Sequence, residues 1–346
     1  MKPSPGIQEP RPLALGEMID RSATFWRAHL KPLFWLCFGF ELVNYILTKA
    51  MVLSLERTNA LFQADATAQA QSDPLGMLGD AGIMLVSSSA LWLVLIWSYW
   101  MATLAVTRYV VPLQFGETAQ PADGLRRGWS KLASFTGAYL LSQLWALGAL
   151  LAMVLPGGAL FGVGFLLARD GEGASGLVSI VLIAIGSLLI FLGALAALLW
   201  YFLRFSLLAP VFAMEDLGAV AAFRRSGRLI SGRVQAGFLG HVKVRAMLLL
   251  TIMSGILIAI SFVSGLPAWI VRLSYANPLD PVAVAANPIP QTLLVPVELI
   301  QVVGQSLFTP LALVFSAMFY LDMRMRREGL DLERRLDAPR PLMPSS

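Results

Sequence analysis

The segment LWYFLRFSLLAPVFAMEDLGAVAAFRRSGRLISGR, residues 199–233, decides the fold because an apolar run ends there and a basic segment begins. Apolar residues fill the chain from about Leu177 to Phe205, more than the roughly 20 residues that a membrane-spanning helix needs. Glu215 and Asp216 then end the apolar run, and arginines follow in an amphipathic pattern. The segment therefore predicts the end of a spanning helix and a short basic helix on one wet face of a membrane.

The composition of the whole chain is that of a membrane protein. Of its 346 residues, 57% are hydrophobic and 14% are charged, whereas soluble domains average about 45–50% apolar and about 25% charged residues. The net charge of +5 comes from Lys and Arg at the ends of apolar runs, where they contact anionic lipid, so we expect no nucleic-acid partner. One cysteine and two histidines form no disulfide framework or zinc motif, so we expect no cofactor and no metal site.

Outward from this segment, the hydrophobic pattern predicts an all-α fold, a polytopic membrane helical bundle with cytoplasmic amphipathic helices. Its six predicted spans are residues 32–55, 81–111, 132–155, 177–205, 246–271 and 292–321. Together with their connections they form a single membrane domain, residues 14–337. Residues 156–169 are interpreted as a continuation of the third span with a kink at Pro156, because proline removes a helical hydrogen bond.

The connecting segments are polar or rich in proline. Residues 56–79 and 272–290 are predicted to be loops on the far face of the membrane. Residues 1–13 hold four prolines and are predicted to be an irregular tail, and residues 338–346 are predicted to be a disordered one. Charged residues throughout 1–31 argue against a cleaved signal peptide, so we expect the first span to remain in the mature protein.

Lysine and arginine are distributed unequally between the two faces. Four of the 26 lie in the predicted far-face regions, namely Lys49, Arg57, Arg169 and Arg272. Cytoplasmic segments of membrane proteins are enriched in Lys and Arg. We therefore expect a multi-pass protein of the bacterial inner membrane with both termini in the cytoplasm.

Three near-face segments carry a family resemblance. They are PLALGEMIDRSATFWRAHLKPLF (12–34), RFSLLAPVFAMEDLGAVAAFRRSGRLISGR (204–233) and FYLDMRMRREGLDLERRL (319–336). In this order they resemble the signature regions of the bacterial integral-membrane family named after the membrane domain of glycerophosphoryl diester phosphodiesterase. The resemblance implies a membrane domain without the soluble phosphodiesterase barrel that follows it in some relatives, so no hydrolase is expected.

Two carboxylates inside predicted spans are the candidate intramembrane polar site. Glu41 and Glu298 each lie several residues inside a span, where an ionisable group is costly and is a functional hypothesis by default. Gln301 and Gln305 follow Glu298 at helical spacing and share its face. These residues could line a path for a proton, ion or substrate, or form a structural polar seam between helices, which we favour. Lys49 is expected to snorkel towards the outer interface.

Six basic residues are candidate contacts for anionic lipid headgroups or for a protein partner in the cytoplasm or membrane. They are Arg21, Arg224, Arg225, Arg228, Arg326 and Arg327. Topology alone would also place them on this face. A further hypothesis pairs the charged segment 326–333 with Asp20 and Arg21.

The expected function is that of a non-enzymatic inner-membrane scaffold or accessory protein that organises lipid or a partner. The alternative is a small-solute or ion transporter or channel that uses Glu41 and Glu298 in a polar intramembrane path. An intramembrane lipid-modifying enzyme would need a converging nucleophile and base, and the sequence offers no candidate set.

Overall fold

The computed structural model describes residues 12–72, 74–170, 174–234, 237, 240–275 and 289–329. The structure is 90% helical, with no β-strand among these residues. Six of the helices are long and apolar enough to cross a membrane. The all-α membrane fold and the count of six spans are therefore confirmed.

Within the described ranges, six long helices alternate with short ones. In chain order they are α1 (Leu15–Ala28), α2 (Leu30–Ser72), α3 (Pro74–Gln114), α4 (Pro121–Ser130), α5 (Leu132–Asp170), α6 (Ala174–Phe205), α7 (Leu208–Met214), α8 (Ala219–Leu229), α9 (Val242–Tyr275) and α10 (Gln291–Glu328). The spanning segments lie in α2, α3, α5, α6, α9 and α10, with α7 continuing the apolar run after α6. The short helices α1, α4, α7 and α8 lie at one end of the bundle with the carboxyl terminus of α10, and we call this the basic end.

The prediction of a loop at residues 56–79 is wrong. Helix α2 continues to Ser72 and α3 begins at Pro74. The intervening sequence ALFQADATAQAQ is dominated by Ala and Gln, which favour helix, and no proline interrupts it before residue 74. Proline is well tolerated in the first helical turn, where its missing N–H has no partner to lose.

The prediction for the end of the third span agrees with the structure. Helix α5 passes through Pro156 without a break, so residues 156–169 do prolong the third span. The charged segment after residue 321 continues α10 as far as Glu328, and Gly329 ends the helix with a left-handed φ of 63°. The tail predicted at 338–346 lies outside the described residues, as does the amino-terminal tail except for Pro12 and Leu13, which are not helical.

The buried core is concentrated at the basic end. Side chains from four helices that meet there are fully buried, including Met18, Leu104, Phe212 and Leu313. Towards the opposite end, the long helices α5, α6 and α9 expose many large apolar side chains. This pattern suits a bundle whose outward faces contact hydrocarbon and whose packing is anchored at one membrane face.

Glycines allow α5 and α6 to pack backbone to backbone. A β-carbon added at Gly193 would lie 2.4 Å from the Met153 carbonyl oxygen, and one added at Gly157 would lie 2.6 Å from the Ile190 nitrogen. Both distances are shorter than real contacts, so these two positions require glycine. Such close approach between helices is the packing device that small residues supply in membranes.

Candidate functional site

The first part of the candidate site is Glu215, directly after α7. Its carboxylate accepts hydrogen bonds from Arg225 Nε of α8 at 2.9 Å and from the Tyr320 hydroxyl of α10 at 2.9 Å. The Arg225 guanidinium also pairs with Glu328, near the end of α10. The acidic residue that ends the apolar run therefore ties α8 to the last turns of α10.

The neighbouring Asp216 binds the short helix α4. Its Oδ1 lies 2.7 Å from Arg127 Nη1 and 3.0 Å from Lys131 Nζ, at the end of α4. Arg127 also donates to the Phe212 carbonyl of α7. The hydrogen bonds from Arg127 and Lys131, together with their positive charge, lower the pKa of Asp216 below its ordinary value, so this carboxylate stays ionised at neutral pH.

The third part is a buried cluster around Asp322 of α10, whose side chain has no exposed surface. Arg326 Nε, one turn later, lies 2.9 Å from Oδ1, and Arg245 Nη2 of α9 lies 3.0 Å from Oδ2. The two arginine side chains are only 7% and 6% exposed. One carboxylate is thus shared by two buried guanidinium groups.

Leu13 completes this cluster through its backbone. Its N–H donates to Asp322 Oδ1 at 2.9 Å. Its carbonyl oxygen accepts from Arg245 at 2.6 Å and from Arg326 at 2.8 Å. The Asp322 cluster therefore fixes the chain just before α1 to the ends of α9 and α10.

We call these three groups together the ionic frame. Sequence reasoning found its acidic pair, Glu215 and Asp216, but missed Asp322 and Arg245. Asp322 could have been found from its spacing to Arg326, because residues four apart on a helix can form an ion pair. The partnership with Arg245 joins residues 77 positions apart, and no local pattern predicts it.

Glu298 lies in a charge-compensated cluster towards the far end of the bundle. Its carboxylate accepts from Lys49 Nζ at 2.7 Å and from the Tyr45 hydroxyl at 3.1 Å, both on α2. Arg272 of α9 lies 3.4 Å from its other oxygen. Lys49 therefore contacts Glu298 rather than only extending to the interface, and the cluster ties α2, α9 and α10 together.

Glu41 lies elsewhere in the same seam between α2 and α10. Its carboxyl group lies near Thr309 on α10. Thr309 and Glu298 are separated by 11 residues of α10, or about 16 Å at 1.5 Å per residue. The two carboxylates that the sequence singled out therefore occupy different depths of the seam.

The two glutamines also lie along α10. Gln301 packs against α9, since a β-carbon added at Gly265 would lie 3.5 Å from the Gln301 side-chain nitrogen. Gln305 is half-buried one turn further along. These placements suit contact between helices.

The six arginines proposed to contact lipid or a partner lie in three different environments. Arg225 and Arg326 belong to the ionic frame. Arg224, Arg228 and Arg327 are exposed, and Arg21 is partly buried.

The hypothesis that joined residues 326–333 to Asp20 and Arg21 is only partly covered by the structure. Arg326 binds Asp322 and the Leu13 carbonyl, and residues 330–333 lie outside the described residues. Among the residues that are described, no group of three or more His, Cys, Asp and Glu side chains is placed to hold a metal ion.

Comparison of the chain with known protein families, with curated proteins and with solved structures finds no match. The family resemblance of the three near-face segments therefore stays a prediction. Function has to be argued from the geometry of the ionic frame and from the side chains that it leaves exposed.

Proposed function

We propose that this protein is a non-enzymatic scaffold of the bacterial inner membrane, with both termini in the cytoplasm, that holds anionic lipid headgroups or a partner at its basic end. The observation that carries the proposal is the ionic frame. Its ion pairs join α4 and α8 to the acidic residues after α7, α8 to the end of α10, and α9 to α10. Backbone hydrogen bonds of Leu13 add the start of α1 to this network. A bundle built in this way presents a fixed basic surface. This role would also suit the family that the near-face segments resemble.

The exposed arginines supply the binding chemistry of that surface. Internal pairing satisfies Arg225 and Arg326, whereas Arg224 and Arg228 on α8 and Arg327 on α10 are exposed. Arg327 also donates one hydrogen bond to the Arg228 carbonyl at 2.7 Å, which holds these two arginines next to each other. Each basic residue near an anionic membrane surface contributes about 1 kcal/mol of attraction. Three such residues on a fixed surface would enrich anionic lipid or dock an acidic protein segment.

Helix α4 offers a second kind of contact with the interface. Trp129 is 79% exposed, and Leu125, one turn earlier on the same face, is also exposed. The exposed Trp35 of α2 lies near Leu125, since both border a small surface pocket. Tryptophan is enriched where hydrocarbon meets headgroups, so this face of α4 is suited to lie in that layer.

A transport function has less support from the geometry. The Glu298 carboxylate is held by Lys49, Arg272 and Tyr45. Glu41 of α2 lies near Thr309, which is about 16 Å from Glu298 along α10. A polar path through these residues would have to break the Glu298 cluster during each cycle.

Lipid selectivity measured around the purified protein tests the proposal. A spin-labelled phosphatidylglycerol should be enriched beside the wild type relative to phosphatidylcholine. Arg224→Glu with Arg228→Glu should reduce that enrichment by about tenfold at low salt, since the two reversals remove more than about 1.4 kcal/mol of attraction. The matched Arg224→Lys, Arg228→Lys variant should retain it. Equal selectivity in both variants would contradict the proposal, as would ion flux in proteoliposomes that Glu298→Gln abolishes.

A further inference from the structure

A cavity of about 630 Å³ lies between α3, α6, α9 and α10, in the half of the bundle next to the basic end. Its size falls within the range of about 300–1,000 Å³ that is typical of ligand sites. Its wall includes Tyr99, Thr103, Leu203, Met247, Ser254 and Phe319. The ionic frame and the Glu298 cluster do not contribute to it, so its role is separate from the surface described above.

The cavity opens sideways into the region that hydrocarbon would occupy. Helices α6 and α9 form its walls but make few contacts with each other. The wall residues Phe202, Met247 and Ile258 are all substantially exposed, with Ile258 at 68%. Since α6 and α9 both carry spanning segments, the gap between them faces lipid.

The length of the cavity along α9 is close to the thickness of the hydrocarbon layer of one leaflet. Its wall on α9 extends from Ala246 to Ile258, which is about 18 Å at 1.5 Å per residue. Half of a hydrocarbon core of about 30 Å is about 15 Å. A chain that enters from the basic end would therefore run along the wall to about the middle of the membrane.

The wall is built for hydrocarbon rather than for a polar solute. The Thr103 hydroxyl donates to the Tyr99 carbonyl at 2.9 Å, and the Thr251 hydroxyl donates to the Met247 carbonyl at 2.9 Å. These polar atoms are therefore satisfied within their own helices. Aliphatic and aromatic groups make up most of the remaining wall.

A cation lies where the headgroup of such a chain would be. Lys243 is exposed and precedes Met247 by four residues, so it lies one turn nearer the basic end on the same face of α9. An ammonium group at this level can bind a phosphate. We propose that the cavity binds one acyl chain of a membrane phospholipid whose phosphate lies at Lys243.

Photo-crosslinking in nanodiscs tests this proposal. A phosphatidylglycerol with a diazirine in its acyl chain should label residues 247–258 more than the exposed face of α5. Gly255 lines the cavity and has nothing within 4 Å of an added β-carbon, so Gly255→Trp should fill the space and lower labelling of α9 by about tenfold. The matched control is Gly148→Trp, on the exposed face of α5 with similarly open surroundings, and it should leave labelling of α9 unchanged.

The headgroup contact has its own variants. Lys243→Ala should reduce labelling by the phospholipid probe, and Lys243→Arg should retain it. A diazirine diacylglycerol, which has no phosphate and no charge, should be much less sensitive to either substitution. Equal labelling of α5 and α9, or no effect of Gly255→Trp, would show ordinary annular lipid and overturn the proposal. Labelling by the diacylglycerol but not by the phospholipid would overturn the assignment of the ligand, and an unchanged Lys243→Ala variant would overturn the phosphate contact.

Discussion

Replacement of Asp322 by Asn tests whether the ionic frame holds the basic end together. The substitution keeps the size of the side chain and removes its charge, so Arg245 and Arg326 remain buried without a counter-charge. Their side chains are 6% and 7% exposed, and that of Asp322 is fully buried. Removal of one partner from a buried ion pair costs about 3–5 kcal/mol, which is the loss that we expect in the free energy of unfolding.

The measurement is unfolding by titration with sodium dodecyl sulfate in mixed micelles, followed by far-ultraviolet circular dichroism. The matched control is Glu328→Gln, six residues later on the same helix. Glu328 also contacts two arginines, Arg225 and Arg324, but its side chain is 26% exposed. Partly exposed ion pairs contribute about 0–1 kcal/mol, so this control should unfold almost as the wild type does.

A double-mutant cycle then assigns the loss to charge. If the cost of Asp322→Asn is an uncompensated guanidinium, the added substitution Arg245→Met should be less harmful than it is in the wild type. The expected coupling is about 0.5–3 kcal/mol, as for residues in one buried network. A loss below about 1 kcal/mol for Asp322→Asn, or one equal to that of Glu328→Gln, would refute the reasoning.

Two further predictions concern the α5–α6 hairpin and the link to α4. Gly193→Leu should lower the free energy of unfolding by more than about 1–3 kcal/mol, because its β-carbon would lie 2.4 Å from the Met153 carbonyl oxygen. The control Gly162→Leu, whose β-carbon would have nothing within 4 Å, should be nearly neutral in the same titration. Asp216 has a lowered pKa in the folded protein, so its stabilising contribution is present above its unfolded pKa of about 3.9 and is lost as pH falls through the lower folded value. Melting temperatures of the wild type and Asp216→Asn should therefore differ by a constant amount above about pH 5 and converge in acid, and a gap that does not narrow as the pH falls below about 3.9 would contradict the assignment.

The spans could be predicted from sequence because hydrocarbon imposes a strict rule. A helix that crosses it needs about 20 apolar residues, and the part of the chain that the structure describes contains six helices with such runs. The error at residues 56–79 arose because polar composition was interpreted as loop, whereas Ala and Gln favour helix as strongly as many apolar residues do. Hydrophobicity therefore located the spans but did not locate the ends of α2 and α3.

The candidate site was less predictable because its residues are joined by tertiary contacts. Helical periodicity placed Glu298 on a face of α10, but it could not show that Lys49 and Arg272 would neutralise it. The sequence likewise could not show which basic residues form internal ion pairs and which are exposed. Only packing distinguishes Arg225, which is bound to Glu215, from the exposed Arg224 beside it.

The most direct test of the topology is the side of the membrane on which each end of the bundle lies. Cys37 is the chain's one cysteine and is buried, so introduced cysteines can be labelled with little background. In cells with a permeabilised outer membrane, an impermeant maleimide should label Arg169→Cys, and it should label Arg224→Cys only after the inner membrane is opened. Labelling of Arg224→Cys with the inner membrane intact would contradict the cytoplasmic placement of the basic end, and with it the proposed scaffold.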